Sequence, residues 1–117
     1  MERLIKGDVV VLPFPFSDLS GAKHRPAFVI ADLPGDDAIV CQITSRHKSD
    51  LLAISLDQSG FVLGSLPHES FIRPNKVFTA DKKIILSIAG RLSETKTAEV
   101  IAALLNIISP FREITGI

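Results

Sequence analysis

Two places in this sequence put side chains of useful chemistry on stiff backbone. Arg25 stands before Pro26 in KHRPAFVI, and a residue before proline is pushed towards extended geometry. Its guanidinium, permanently charged and planar, matches phosphate oxygens bidentately. Thr44-Ser45 ends the run AIVCQITS and offers a hydroxyl at a strand mouth. His24 adjoins Arg25 and is of the side-chain type that titrates near neutrality, although extended neighbours point to opposite faces. A polar loop beside an arginine on a rigid edge is where a β-protein usually places its chemistry.

The elements that must position these groups are three strands. Residues 9–12, VVVL, are strongly β-disposed and apolar on both faces, so this strand is expected to be covered on both sides. Pro13 and Pro15 cannot donate to a ladder and are expected to end it. A polar loop over residues 17–24 leads to a second strand at 27–30. The turn cluster Asp32, Pro34, Gly35, Asp36 and Asp37 then joins it to a third strand at 38–44. If the hairpin is centred near Gly35, opposite residues sum to about 70, and Arg25 lies across from Thr44, Ser45 or Arg46. Ile39, Cys41 and Ile43 share the face that suits a core, which leaves Thr44 on the other face at the strand's mouth.

Beyond Thr44 a basic loop carries Arg46, His47 and Lys48, followed by an expected strand at 51–56. Residues 57–69 read as a mobile excursion. Short strands are expected at 70–72 and 76–79, broken by Pro74-Asn75, with a helical turn or tight bend at Asp81-Lys82-Lys83 and mixed structure at 84–89. Ser93 is a good N-cap with Glu94 in the first turn. From there to residue 108, Ala98, Ile101, Ala102, Leu105 and Ile108 recur at helical spacing, and Pro110 stops the helix. Strands followed by one amphipathic helix predict a mainly β protein, a small bent antiparallel barrel with a C-terminal helix packed on it.

At 117 residues the chain is expected to form a single domain over 1–117. No apolar run reaches membrane-spanning length and the N-terminus lacks a signal-peptide core, so no membrane partner is expected. The single cysteine excludes an internal disulfide and fits a reducing cytoplasm. With 13 basic and 13 acidic residues, any nucleic-acid surface must be local. Seven phenylalanines without tryptophan or tyrosine argue against a long base-stacking platform. His68 has no ligand partner at useful spacing and Cys41 lies on the core face, so no metal site or cysteine nucleophile is expected.

The segments KGDVVVLPFPFSDLSGAKHRPAFVI, CQITSR and SIAGRLS, in this order across residues 6–108, resemble the MazF/PemK family of toxins. The resemblance implies an SH3-like barrel of the kind shared by MazF and CcdB, a homodimer, and metal-independent, sequence-specific cleavage of single-stranded RNA with no cofactor. It also implies a cognate antitoxin partner, with DNA engaged only through the antitoxin complex. The family's catalytic arginine falls on Arg25 and its catalytic threonine on Thr44, the pair that the hairpin also joins. Two departures stand out: Phe78 takes the place of an arginine common in relatives, and the first loop is shorter.

RNA cleavage by attack of the ribose 2′-hydroxyl needs a base, an acid and charge stabilisation at the phosphate. Arg25 suits the last as a phosphate clamp, Thr44 can donate to the same phosphate, and His24 is the candidate for proton transfer. Ser20 and Lys23 in the first loop, and Ser45, Arg46, His47 and Lys48 in the second, are candidate substrate contacts. Arg73 and Lys76 are weaker outer ones, and Phe14 and Phe16 are expected to cover the barrel's end. The competing reading is a catalytically weak or inactive binding module, engaging antitoxin, a DNA complex or gyrase. Gyrase binders of this fold use an aromatic in the last helix, and residues 104–108 contain none.

Overall fold

In the computed structural model, residues 3–14, 23–46 and 50–110 are described. Seven strands form one antiparallel sheet: β1 (Asp8–Phe14), β2 (Lys23–Asp32), β3 (Asp37–Thr44), β4 (Ile54–Leu56), β5 (Phe61–Gly64), β6 (Ser70–Asp81) and β7 (Ser87–Leu92). Their order is β4-β6-β3-β2-β1-β7-β5, and the sheet curls into a half-barrel with α1 (Glu94–Ile108) on one side.

The central strands are apolar on both faces because both faces are covered. Val10, Leu12, Ala27, Val29, Ala38, Val40, Ala80 and Ile85 form one cluster with Leu4, and Phe78 and Ile88 pack on it. Val9, Phe28, Cys41, Ile43, Leu56, Ile72, Leu92 and Val100 form the other. Each fully buried large side chain contributes about 1.5–3 kcal/mol. Val9 and Val10, consecutive in β1, are both 0% exposed within this single chain. The two-faced strand is thus accounted for without a second subunit.

The start of β1 is tied to β7 by an ion pair whose carboxylate is buried. Asp8 is fully buried; its Oδ1 accepts from Arg91 Nε at 2.9 Å and its Oδ2 from the Ile5 N–H at 2.9 Å. Asp8 and Arg91 are also cross-strand neighbours between β1 and β7.

Several expectations need correction. Pro13 does not end β1, which pairs with β2 as far as Phe14. Pairing with β7 stops at Val11, so Pro13 sits where β1 has become an edge, the place a strand tolerates proline. Leu51 and Leu52 are not in a strand. Asp50 closes a turn there, its carboxylate accepting from the Leu52 N–H at 2.9 Å, and Leu51 is wholly exposed. Residues 57–69 are not an unstructured excursion, since β5 pairs with β7. Gly64 and Gly90 face each other there. A Cβ on Gly64, which has φ +70, would lie 2.1 Å from the Ala89 carbonyl oxygen, so only glycine allows so close an approach.

Pro74-Asn75 does not divide β6 into two strands. The register on β3 shifts between Cys41 and Ile43 as their partners pass from Val77 to Ile72, so the proline lies in a bulge of one bent strand. The helix begins and ends where expected: Ser93 Oγ accepts from the Lys96 N–H at 3.1 Å, and α1 runs to Ile108. Its packed face differs, however. Val100 is buried and Ile101 and Leu104 pack on the second cluster, whereas Ala98, Ala102, Leu105 and Ile108 are exposed. Phe78, in the departure from the family pattern, pairs with Val40 and packs on the first cluster.

Candidate functional site

The site is built by the β2–β3 hairpin. Gly35, at φ +84, turns the chain, and pairing follows from Asp32–Ala38 to Ala31–Ile39. A bulge between Val29 and Ala31 then drops the sum of paired positions by one, giving Val29–Val40, Phe28–Cys41 and Ala27–Gln42. Continued by two residues, that register sets Arg25 opposite Thr44. On its other side Arg25 pairs with Leu12 of β1, and Thr44 pairs with Phe71 of β6.

The ladder between β2 and β3 ends at Ala27–Gln42, and beyond it the strands border a cleft of about 280 Å³. His24, Arg25, Thr44 and Ser45 line it, together with Leu66, Pro67, His68 and Ser70 from the far side. Arg25 is half-buried and His24 exposed. Both contribute to the lining. Thr44 is only 5% exposed, and its Oγ1 accepts from the Arg46 N–H at 3.2 Å. This bond caps the following loop and leaves the hydroxyl proton available to donate. Arg25 thus offers a fixed cation and Thr44 an oriented donor in one half-enclosed space, an arrangement suited to a tetrahedral or pentavalent oxyanion.

The remaining candidates separate. Ser45 lies in the cleft, while Lys23 and Arg46 are exposed and do not line it. Ser20, His47 and Lys48 lie outside the described residues, as do Phe16 and the side chain of Phe14. Arg73 is not an outer contact: its Nε donates to Asp50 Oδ2 at 2.9 Å and its Nη1 to Gln42 Oε1 at 3.3 Å, and only 16% of the side chain is exposed. It ties the start of β4's turn to the sheet. The Asp50 carboxyl is held below its ordinary value, first by the Leu52 N–H and then by Arg73, against the opposing effect of burial.

Phe78 is not among the cleft residues, so the departure from the family pattern does not touch this space. Burial pushes the Cys41 thiol up to about 12, which removes it as a nucleophile. Among the described residues, no group of three or more His, Cys, Asp or Glu is arranged to hold a metal, and no helix is long and apolar enough to cross a membrane. His68 and Ser70 were not foreseen in the site. They arrive because β6 starts beside the end of β3, with Thr44 paired to Phe71, a pairing that the local pattern of residues 70–72 does not announce.

The sequence profile of PemK-like, MazF-like toxins of type II toxin–antitoxin systems matches residues 5–108. Among curated proteins, no sequence matches the chain significantly. Solved structures match closely in shape. A mycobacterial endoribonuclease in complex with its cognate antitoxin aligns with a TM-score of 0.71 at 13% identity, over 92% of this chain and 96% of that one. A MazE–MazF structure from Deinococcus radiodurans aligns at 0.70 and 19% identity, covering 93% and 98%. The Mycobacterium tuberculosis toxin MazF-mt6 aligns at 0.67 and 14%, covering 85% and 93%. At these identities the structural likeness carries the fold, and the profile match over most of the chain carries the kinship. The chain belongs to the PemK-like, MazF-like toxins of type II toxin–antitoxin systems.

Proposed function

We propose that this toxin is an endoribonuclease that cuts single-stranded RNA at preferred sequences, without a metal ion, in the cleft between Arg25 and Thr44. The observation that carries the reading is the meeting of these two side chains in one cleft at the open end of the hairpin. The structural neighbours described as endoribonucleases support it. In this reading the ribose 2′-oxygen attacks the adjacent phosphorus, the bond from phosphorus to the 5′-oxygen breaks, and a 2′,3′-cyclic phosphate forms. Arg25 holds the non-bridging oxygens as charge builds on them, and Thr44 donates to the same phosphate. His24 exchanges protons at the reacting oxygens. Arginine itself, which keeps its proton throughout the neutral range, is a poor base there. Ser45 borders the scissile phosphate, and Lys23 and Arg46, together with Ser20, His47 and Lys48, hold the RNA strand.

The protein acts in the cytoplasm and is restrained by a cognate antitoxin, as the neighbours solved with antitoxins suggest. It works as a homodimer. The exposed apolar stripe of α1, continuing past Ile5 and Val62 along a shallow groove beside Ala98 and Ile101, is the surface that a second copy would cover.

The test of the central reading is incubation of the purified chain with a long RNA, with and without EDTA, followed by mapping of the cut ends. Cuts at recurring sequences, unchanged by EDTA and ending in a cyclic or 3′-phosphate, are expected. Activity lost in EDTA and restored by Mg²⁺ would overturn the mechanism. No cleavage of any RNA would leave the binding-module reading in its place.

A further inference from the structure

We infer that His68, on the loop between β5 and β6, is a proton-transferring residue of the cleft that holds Arg25 and Thr44. The inference rests on the reading of that cleft as an RNA-cleaving site. Such a reaction needs one group to accept the 2′-hydroxyl proton and another to protonate the departing 5′-oxygen. Among the residues that line the cleft, the hydroxyls of Thr44, Ser45 and Ser70 and the guanidinium of Arg25 do not exchange protons readily at neutral pH. Imidazole does. Among the described residues the lining holds two: His24 of β2 and His68 of the loop between β5 and β6.

The loop is set rather than slack at this point. Ser70 is buried and its Oγ donates to the His68 carbonyl oxygen at 2.9 Å, while Pro67 fixes the backbone just before. The same three residues, Leu66, Pro67 and His68, form the wall between the cleft and a second hollow of about 160 Å³ lined by Asp57, Gln58, Phe61 and Glu69. Among the described residues, the charged and titratable groups around His68 are therefore His24 and Arg25 in the cleft, and Asp57 and Glu69 in the hollow beyond. His68 is itself exposed, so its ring can exchange protons with water between turnovers.

With two imidazoles the proton balance closes within the cleft. The neutral ring takes the proton from the 2′-hydroxyl as that oxygen bonds to phosphorus. The protonated ring gives its proton to the 5′-oxygen as its bond to phosphorus breaks. The two rings have then exchanged charge states. In the reverse sense they can hydrolyse the cyclic phosphate: the ring now neutral takes a proton from water as its oxygen bonds to phosphorus, and the other returns one to the 2′-oxygen as its bond to phosphorus breaks, leaving a 3′-phosphate.

The experiment is the pH dependence of cleavage by the full chain and by His68→Gln and His24→Gln, read alongside binding of a 2′-O-methyl RNA that cannot be cut. The parent is expected to show a bell-shaped kcat profile. His68→Gln should lose one limb of it and fall by about 10²–10⁴-fold in rate, the range for losing a positioned acid or base, with affinity for the uncut RNA nearly unchanged. On a substrate with a nitrophenolate leaving group, which needs no acid, whichever variant lacks the acid should regain most of its rate. A His68→Gln protein that keeps both limbs and the parent rate, in a parent that does cut RNA, overturns this inference alone. A parent that cuts no RNA at any pH overturns the reading of the cleft, and this inference with it.

Discussion

Replacing Arg25 and Thr44 singly and together tests whether they act as one unit. Arg25→Ala removes a preorganised cation from a half-buried position in the cleft. Losing one such donor costs about 10²–10³ in rate, or about 2.7–4 kcal/mol of transition-state stabilisation. Arg25→Lys should recover little, since a point charge cannot reproduce a planar fork. Thr44→Val keeps the shape of a side chain that is only 5% exposed and removes its hydroxyl. It loses the proposed bond to phosphate and the bond accepted from the Arg46 N–H. Arg46 is exposed, so water replaces the second, and the rate loss should be about 10- to 100-fold, the scale of one hydrogen bond to a charged group. The double variant should lose less than the product of the single losses, because groups acting on one phosphate are not additive. The assay is single-turnover cleavage of an end-labelled RNA, with circular dichroism to confirm that each variant is folded. A folded Arg25→Ala protein that cuts at the parent rate would refute the assignment.

Arg91→Ala should destabilise the fold by about 2–4 kcal/mol in urea unfolding, because it leaves the fully buried Asp8 carboxylate without its cation. Asp8→Asn should cost less, about 1–3 kcal/mol, since Arg91 is 40% exposed and can be solvated. The depressed Asp50 carboxyl contributes stability above its ordinary value of 3.8 and loses it as pH falls through the lower folded value. The difference in stability between the parent and Asp50→Asn should therefore be constant near neutrality and shrink below about pH 4. Sedimentation at tens of micromolar should give a dimer, and Leu105→Glu, on the exposed stripe of α1, should give a folded monomer. A parent that sediments as a monomer would remove the dimer.

The parts of the fold that depend on neighbours in sequence were legible, and those that depend on distant pairing were not. Gly35 within its acidic turn announces the hairpin, and the hairpin alone brings Arg25 to Thr44; the bulge at Ile30 changes the register by a single residue. Ser93 and Pro110 bound α1 to the residue. The packed face of α1 was misread because residues 100–105, VIAALL, are apolar most of the way round, so periodicity cannot choose between two stripes. Gly64 lay in the segment read as a mobile excursion, yet it packs against Ala89 and Gly90 where β5 meets β7. Pro74 read as a break, yet the bulge of β6 absorbs it. His68 entered the site only through the pairing of β6 with the end of β3, a contact between residues far apart in the chain. Arg73 looked like a free cation because its partners, Asp50 and Gln42, lie on other elements.

Cleavage of an RNA carrying a single 2′-deoxyribose immediately 5′ to a mapped cut tests the central claim most directly. If the 2′-hydroxyl is the nucleophile in the Arg25–Thr44 cleft, that cut disappears while cuts elsewhere in the same strand proceed at their usual rate, still ending in cyclic phosphate. Persistence of the cut at the deoxy position, with a new 5′-phosphate on the downstream fragment, would mean that water attacks instead and would contradict the account.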